Sequence, residues 1–384
     1  MKASLSRRLA DQARYRSRHS AQRSRRIVEP IGPGARVRVD GIDCINFAGN
    51  DYLGLAADAE PAIRTTAGSG ASPLITGYLP IHRALERALA DFTGFESAAL
   101  FPSGYQANLA VGQALVQRGR SALVDRLNHA SLNDGLRLAG ARLRRYRHAD
   151  PTDAARRCNE RVDLIASDGV FSMDGDLAPV TALARLAADQ DTPLWLDDAH
   201  GFGVLGRDGR GVLEHLGVAV EDIDVFVATF GKALGTSGAF VAGDRTLIEH
   251  LENVARPLIY STSLSPLLSA RTLDNLARLC SERWRRDRLH EHIERFRQAC
   301  RDGGVELADS CTPIQIVMAG DNERVLDWAR CLTEAGFLVG AIRPPTVPAG
   351  TARLRITLSS AHEPGDIERL AAALARLSEP VVSP

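Results

Sequence analysis

Val227-Ala-Thr-Phe-Gly-Lys-Ala-Leu-Gly-Thr-Ser-Gly238 is the stretch on which the reading of this 384-residue chain turns. It continues the apolar, β-like run Val225–Thr229 and carries Lys232, one of only two lysines among 47 Lys+Arg residues, the other being Lys2. Arginine meets almost every cationic need of this protein. Lysine can do one thing arginine cannot: lose its proton and attack a carbonyl carbon to form a Schiff base. An ordinary surface cation is the plain alternative. Glycines on both sides and a strand end just before it make Lys232 the better candidate for a nucleophile.

Outward from Lys232, short apolar strands alternate with helices. Strands are expected at Ala98–Phe101, Ser121–Val124, Asp163–Ala166, Pro193–Leu196 and Val225–Ala228, with helices at 82–92, from Tyr105 to Gln117 and at 180–188. That alternation predicts an α/β fold with a mainly parallel sheet covered on both faces. Ligands of such sheets sit outside the carboxyl ends of the strands. Ser103-Gly104, Asn128-His129, Ser172, Asp197 with His200, and Thr229 with Lys232 all fall at those ends.

Upstream, Val37–Gly41 and Cys44–Phe47 read as a hairpin turning at Asp40-Gly41. Asn50–Leu55 is a turn, and residues 68–82 form a glycine-rich loop. Downstream of Pro266, one long charged helix is expected from about Asp274 to Arg301. Strands near Ile314–Met318, Phe337–Ile342 and Arg353–Leu358 then alternate with helices at 324–334 and 366–377. The expected division is a basic helix and hairpin over 1–45, a large domain over 46–265 and a smaller C-terminal α/β domain over 266–384.

Composition narrows the class. The 47 acids balance the 47 bases, so no global field points to nucleic acid or a membrane surface. No run of about 18 apolar residues predicts a membrane span. Six scattered cysteines without CxxC pairs suit reduced thiols in a cytoplasm. Residues 1–30 hold eight arginines and few acids. They read as a solvated basic helix with Leu5, Leu9 and Ala13 on its inner face, a transit peptide, or an attractor for a phosphate-bearing ligand.

A Schiff-base lysine working on a pyridoxal ring makes further demands. The ring is an electron sink only while its nitrogen stays protonated, and a buried carboxylate secures that. Asp197 closes a strand and is the candidate. His200 can reach the ring hydroxyl and His129 can stack on the ring. Gly104 and Tyr105 open a helix whose N-terminus suits a phosphate, and Ser172 and Thr229 add hydroxyls. Taken singly, Asp197 reads as well as a helix cap, the histidines as satisfied loop residues and Gly104 as a turn. Their shared placement at strand ends favours a site. Gly201-Phe-Gly-Val-Leu-Gly206 formally matches a dinucleotide fingerprint, but a loop-like sequence follows it where a helix is needed. Asp197 and His200 lack a further histidine at metal-ligand spacing.

Asn50–Leu55, Asn128-His-Ala-Ser131, Val170–Asp176, Asp197–Gly201, Thr229–Lys232 and Arg353–Thr357 together resemble the α-oxoamine synthases. These are fold-type-I pyridoxal-phosphate (PLP) enzymes that join an amino acid to an acyl thioester with loss of carbon dioxide. The motifs run from about residue 46 to 362. Ala341–Arg353 is most similar to the branch using L-alanine and a pimeloyl thioester, on CoA or a carrier protein; sister branches use glycine or serine.

The resemblance implies that Lys232 holds the cofactor and takes the Cα proton, with His129 and Asp197 completing the catalytic set. It implies cofactor contacts from Gly104, Tyr105, Ser172, Asp197, His200, Thr229 and Lys232. Substrate contacts are implied for Arg23 (or Arg25, if the local register slips), Asn50, His129, Arg343 as a carboxylate partner, and Thr346. It also implies a homodimer with sites at the subunit interface, and a segment between Leu55 and Gly68 that is shorter than in relatives.

Overall fold

The computed structural model describes residues 2–32, 34–58, 63, 65–158 and 162–378, which form two compact units. The shortened segment expected after Leu55 includes 59–62 and 64, which lie outside the described residues.

The larger unit comprises 50–172 and 176–287. Its sheet contains β1 (Ser97–Phe101), β2 (Ser121–Asp125), β3 (Arg142–Tyr146), β4 (Leu164–Asp168), β5 (Leu194–Asp197), β6 (Val225–Thr229) and β7 (Ala239–Gly243), in the order β1-β7-β6-β5-β4-β2-β3. Pairing is parallel throughout except at β7, which runs antiparallel to both β1 and β6. Every residue of β4 and β5 is buried, as expected where helices cover both faces and the strands become continuous apolar runs. Two strands were not anticipated. β3, Arg-Leu-Arg-Arg-Tyr, pairs on one side only, and its arginines hide the apolar alternation. β7, Ala-Phe-Val-Ala-Gly, follows directly on a glycine-rich turn.

Behind the sheet, the helices Gly104–Leu115 and Ala130–Leu138 cross at glycine. A Cβ on Gly112 would come within 2.5 Å of the Gly135 carbonyl carbon, and one on Gly135 would collide with the Asn108 carbonyl oxygen. The two backbones can meet only because neither residue has a side chain.

The single long helix expected from Asp274 is two, Pro266–Ser281 and Trp284–Asp302. The break is held by side chains. Glu282 accepts from Arg278 and Arg285, and both arginines also reach Asp58. Arg285 adds a bond to the Leu53 carbonyl at 2.9 Å. The first of these helices packs on Pro80–Thr93, so compactness draws 266–287 into the large unit, beyond the expected boundary at 265.

The smaller unit comprises 1–49, 173–175 and 288–384. Its hairpin pairs Arg36–Val39 with Ile42–Asn46, and Asp40 and Gly41 both take positive φ, 51° and 84°, the two-residue turn that suits strand twist. The expected strand 337–342 is shared between two sheets. Phe337–Leu338 pairs parallel with the hairpin strand, and Gly340–Ile342 pairs antiparallel with Ala352–Thr357. That shared strand joins the first 49 residues to the C-terminal segment. Within this unit Arg353 donates to the Met173 carbonyl and the Asp174 carboxylate, and Ser310 and Thr312 hold the Gly175 carbonyl. The N-terminal helix spans Ala3–Arg18, but Leu5 and Leu9 are 37% and 42% exposed, so the face expected to be inner is uncovered in a single chain. No helix among the described residues is long and apolar enough to cross a membrane.

Candidate active site

At the carboxyl ends of β4, β5 and β6 the larger unit encloses a cavity of about 220 Å³. Gly104, Tyr105, His129, Ser172, Asp197, His200, Thr229 and Lys232 all line it, with Asn108, Ser131 and Asp168 among the others. Eight residues singled out in sequence thus share one wall-to-wall space. Sheet register explains part of this, because Asp168 pairs with Asp197 and Asp197 with Val227 across adjacent strands.

Lys232 sits on the connection between β6 and β7. Phe230 N–H donates to the Gly238 carbonyl at 2.9 Å, Thr236 N–H to the Phe230 carbonyl at 2.9 Å, and the Thr229 hydroxyl also to Gly238 at 2.9 Å. Asn275 binds the Leu234 carbonyl from outside the loop at 2.7 Å. Gly235, at φ 62°, leaves no room for a Cβ against the Ala56 backbone, so only glycine fits that corner.

Asp197 is 6% exposed. Its carboxylate accepts from Ala199 N–H at 2.9 Å and from Asn108 Nδ2 at 2.5 Å. The other Asn108 amide hydrogen goes to Ser131 Oγ at 2.8 Å, and Ser131 Oγ lies 2.7 Å from His129 Nδ1. Ser131 N–H also donates to His129 Nδ1 at 3.3 Å, which makes Nδ1 the acceptor and places the ring proton on Nε2. Burial pushes the His129 pKa down, against the pull of Asp197, and favours that neutral form. One asparagine therefore wires the candidate ring-nitrogen partner to the candidate stacking residue. Asn108 and Ser131 were given no role from sequence; the available signal was one long polar side chain on the buried face of an Ala/Val/Gly helix.

Asp168 is buried beside Asp197, and burial and that neighbouring charge push its pKa well up. Its Oδ2 accepts from His129 N–H at 2.7 Å and fixes the start of the next helix. His200 is buried with Nδ1 2.7 Å from the Tyr52 hydroxyl, which donates to Asn50 Oδ1 at 3.2 Å. This explains Asn50-Asp-Tyr52 as a support for His200. Tyr105 is 44% exposed and donates to Asp134 at 2.6 Å.

The site fits PLP on its own chemistry. It combines an amine, a buried hydrogen-bonded carboxylate, a ring able to stack, and a helix N-terminus at Gly104–Tyr105 whose first N–H groups have no intrahelical acceptor.

The fingerprint-like Gly201–Gly206 has a different use. A Cβ on Gly201 or Gly211 would collide with the Asp198 carboxylate, and one on Gly169 would come within 2.8 Å of it. Gly206 makes room for Glu214 in the same way. The segment is a turn ending in a five-residue helix, Val212–Leu216, so no dinucleotide-binding helix follows.

The remaining expected substrate contacts lie in the smaller unit. Arg23 donates to Thr346 Oγ1 at 2.8 Å. Arg343 uses Nε and Nη2 on the carbonyls of Ser20 and Gln22. It therefore anchors the N-terminal strand of chain, and those two donors are already committed.

Residues 42–374 match the family model for class I and II aminotransferases. The 8-amino-7-oxononanoate synthase of Alkalilimnicola ehrlichii is 50% identical over 383 residues, covering 97% of this chain and 98% of that protein. Serine palmitoyltransferase from S. paucimobilis, solved with bound PLP-myriocin, superposes with a TM-score of 0.89 at 28% identity, covering 96% of each chain. 8-Amino-7-oxononanoate synthase from Francisella tularensis superposes with a TM-score of 0.76 at 28% identity, covering 87% of this chain and 97% of that one. The chain belongs to the class I and II aminotransferase family and, within it, to the 8-amino-7-oxononanoate synthases.

Proposed function

We propose that this protein condenses L-alanine with a pimeloyl thioester, releasing carbon dioxide and the thiol carrier, to form 8-amino-7-oxononanoate for biotin biosynthesis, with PLP as cofactor. The observation that carries the reading is the convergence of Lys232, Asp197 and His129 on one cavity. Bound PLP supplies an electron sink for the pair left on alanine Cα when its proton departs. Lys232 Nζ is the covalent anchor and the base for that proton. Asp197 would keep the ring nitrogen protonated, His200 would meet the ring hydroxyl, and His129 would stack on the ring. Gly104, Tyr105, Ser172 and Thr229 bind the cofactor's periphery. A bond then forms between alanine Cα and the thioester carbonyl carbon as the C–S bond breaks and the thiolate leaves to take a proton; alanine's carboxylate departs as carbon dioxide, and the electron pair it leaves on Cα takes a proton in its place. Arg23, with Thr346, and Asn50 contact substrate, and Arg343 pairs with a substrate carboxylate while also holding the Ser20–Gln22 backbone.

We further propose a cytoplasmic homodimer. Support comes from free thiols at all six cysteines, and from Leu74, Ile75, Tyr78 and Tyr260, which stay 45–77% exposed around the touching elements Pro73–Gly77 and Arg256–Ile259. Such an apolar patch suits a second copy.

The test is borohydride reduction of the PLP-loaded protein followed by peptide mapping, with carrier release assayed using alanine and glycine. Pyridoxyl label on Lys232 and a preference for alanine are expected. A Lys232→Ala protein with full activity refutes the chemistry, and a strong glycine preference reassigns the substrate.

A further inference from the structure

His148 lies outside the cavity lining and has no part in the chemistry above, yet it sits between two carboxylates. Its Nδ1 is 3.1 Å from Asp125 Oδ1 and its Nε2 is 2.8 Å from Asp176 Oδ2. Asp125 ends β2 and is fully buried. It also accepts from Leu127 N–H and Ala149 N–H, each at 2.8 Å, so it organises the loop that leads into Asn128 and His129. Asp176 belongs to the turn after β4, which closes through the bridge between Val170 and Leu177 and the bond from Phe171 N–H to the Asp176 carbonyl at 3.0 Å. That turn carries Ser172. The edge of the His148 ring packs on Phe171, the residue before Ser172, with ring centres 4.4 Å apart at 82°.

A neutral imidazole has one N–H, so it would set a lone pair against one of the two carboxylates. Only the imidazolium donates to both. Burial opposes that charge, but the two carboxylates outweigh it and hold the His148 pKa up at about 10.

We propose that His148 is a positioning residue for the cofactor half of the site. Its imidazolium clamps the loop bearing His129 to the turn bearing Ser172 and so sets the separation of two cavity walls. The clamp rests on the reading that PLP occupies this cavity on Lys232. Its effect is on the shape of the cofactor pocket, since His148 itself touches neither cofactor nor substrate.

Three variants test it. His148→Gln can donate at only one end. Asp176→Asn loosens the turn side and leaves the buried Asp125 intact. Leu251→Ala, fully buried in the core behind the sheet, is a control that lowers stability at a distance. For each, PLP is titrated into apo-protein, the visible circular dichroism of the bound cofactor is recorded, and Tm is measured. We expect the PLP Kd to rise about tenfold or more in both clamp variants, equivalent to about 1.4 kcal/mol, with an altered dichroic band. The control should bind PLP within about twofold of wild type while losing as much Tm. Clamp variants that bind PLP like wild type, or a control that weakens binding equally, overturn the proposal. Wild-type protein that takes no borohydride-fixed PLP on Lys232 overturns the functional reading itself, and that outcome is seen before any variant is compared.

Discussion

Asp198 offers a pH test of the fold that needs no substrate. It follows Asp197 in sequence, but its carboxylate points into a shell left by Gly169, Gly201 and Gly211, where it is 0% exposed and accepts from Val212 N–H at 2.8 Å. Burial raises its pKa from 3.8 to about 8. The sign follows directly. With the folded pKa above the unfolded one, the folded state keeps its proton while the unfolded chain gives it up. Stability is therefore full below about pH 4, declines as pH rises, and has lost the whole contribution above about pH 8. Each pH unit inside that window is worth about 1.4 kcal/mol, and with half-titration at pH 8 the step from pH 6 to pH 8 costs about 2 to 3 kcal/mol. A unit of roughly 250 residues unfolds with an entropy near 0.5 kcal/mol/K, and the loss then appears as about 5 °C in Tm. Asp198→Asn keeps the shape and has no proton to release. Scanning calorimetry of both proteins at pH 6, 7, 8 and 9, with PLP saturating, cancels the groups they share. The wild-type Tm minus the variant Tm should fall by about 5 °C up to pH 8 and then level off. Parallel curves across the range would refute the assignment of a protonated Asp198.

Other perturbations probe separate parts of the molecule. Gly135→Ala forces a Cβ onto the Asn108 carbonyl; overpacking of this kind costs about 1–3 kcal/mol, and chemical denaturation should show it together with weaker PLP binding, because Asn108 moves. Arg23→Ala and Thr346→Ala each remove one end of the 2.8 Å pair. Each should raise the KM for the acyl donor about tenfold, the worth of one charge-assisted bond, while Arg25→Ala leaves it unchanged; steady-state kinetics decides.

Legibility in the sequence followed how local the cause was. Strand ends were readable because β4, β5 and β6 are continuous apolar runs closed by a polar residue, and those polar residues line the cavity. The Asp40-Gly41 hairpin was readable from its turn chemistry alone. Features caused by distant partners were not. The helix break at Glu282 depends on Arg278, Arg285 and Asp58 meeting across more than 200 positions. The split of Phe337–Ile342 depends on which neighbouring strand each half finds. Asn108 earns its importance only once the fold brings Asp197 and Ser131 to its two amide hydrogens. The hold of Arg343 on the Ser20 and Gln22 carbonyls is equally hidden, because its partners lie more than 320 positions away.

The closed loop that carries Lys232 has a kinetic consequence. With PLP bound, Lys232 Nζ would have to return to the same position at every turnover. Because antiparallel β7 returns the chain immediately, the loop is short, stapled between Phe230 and Gly238 and pinned through Leu234. The backbone needs no excursion; only the four-carbon side chain moves. Recapture is then a unimolecular step at high effective concentration, and a free amine such as product has to compete with a tethered rival that never diffuses away.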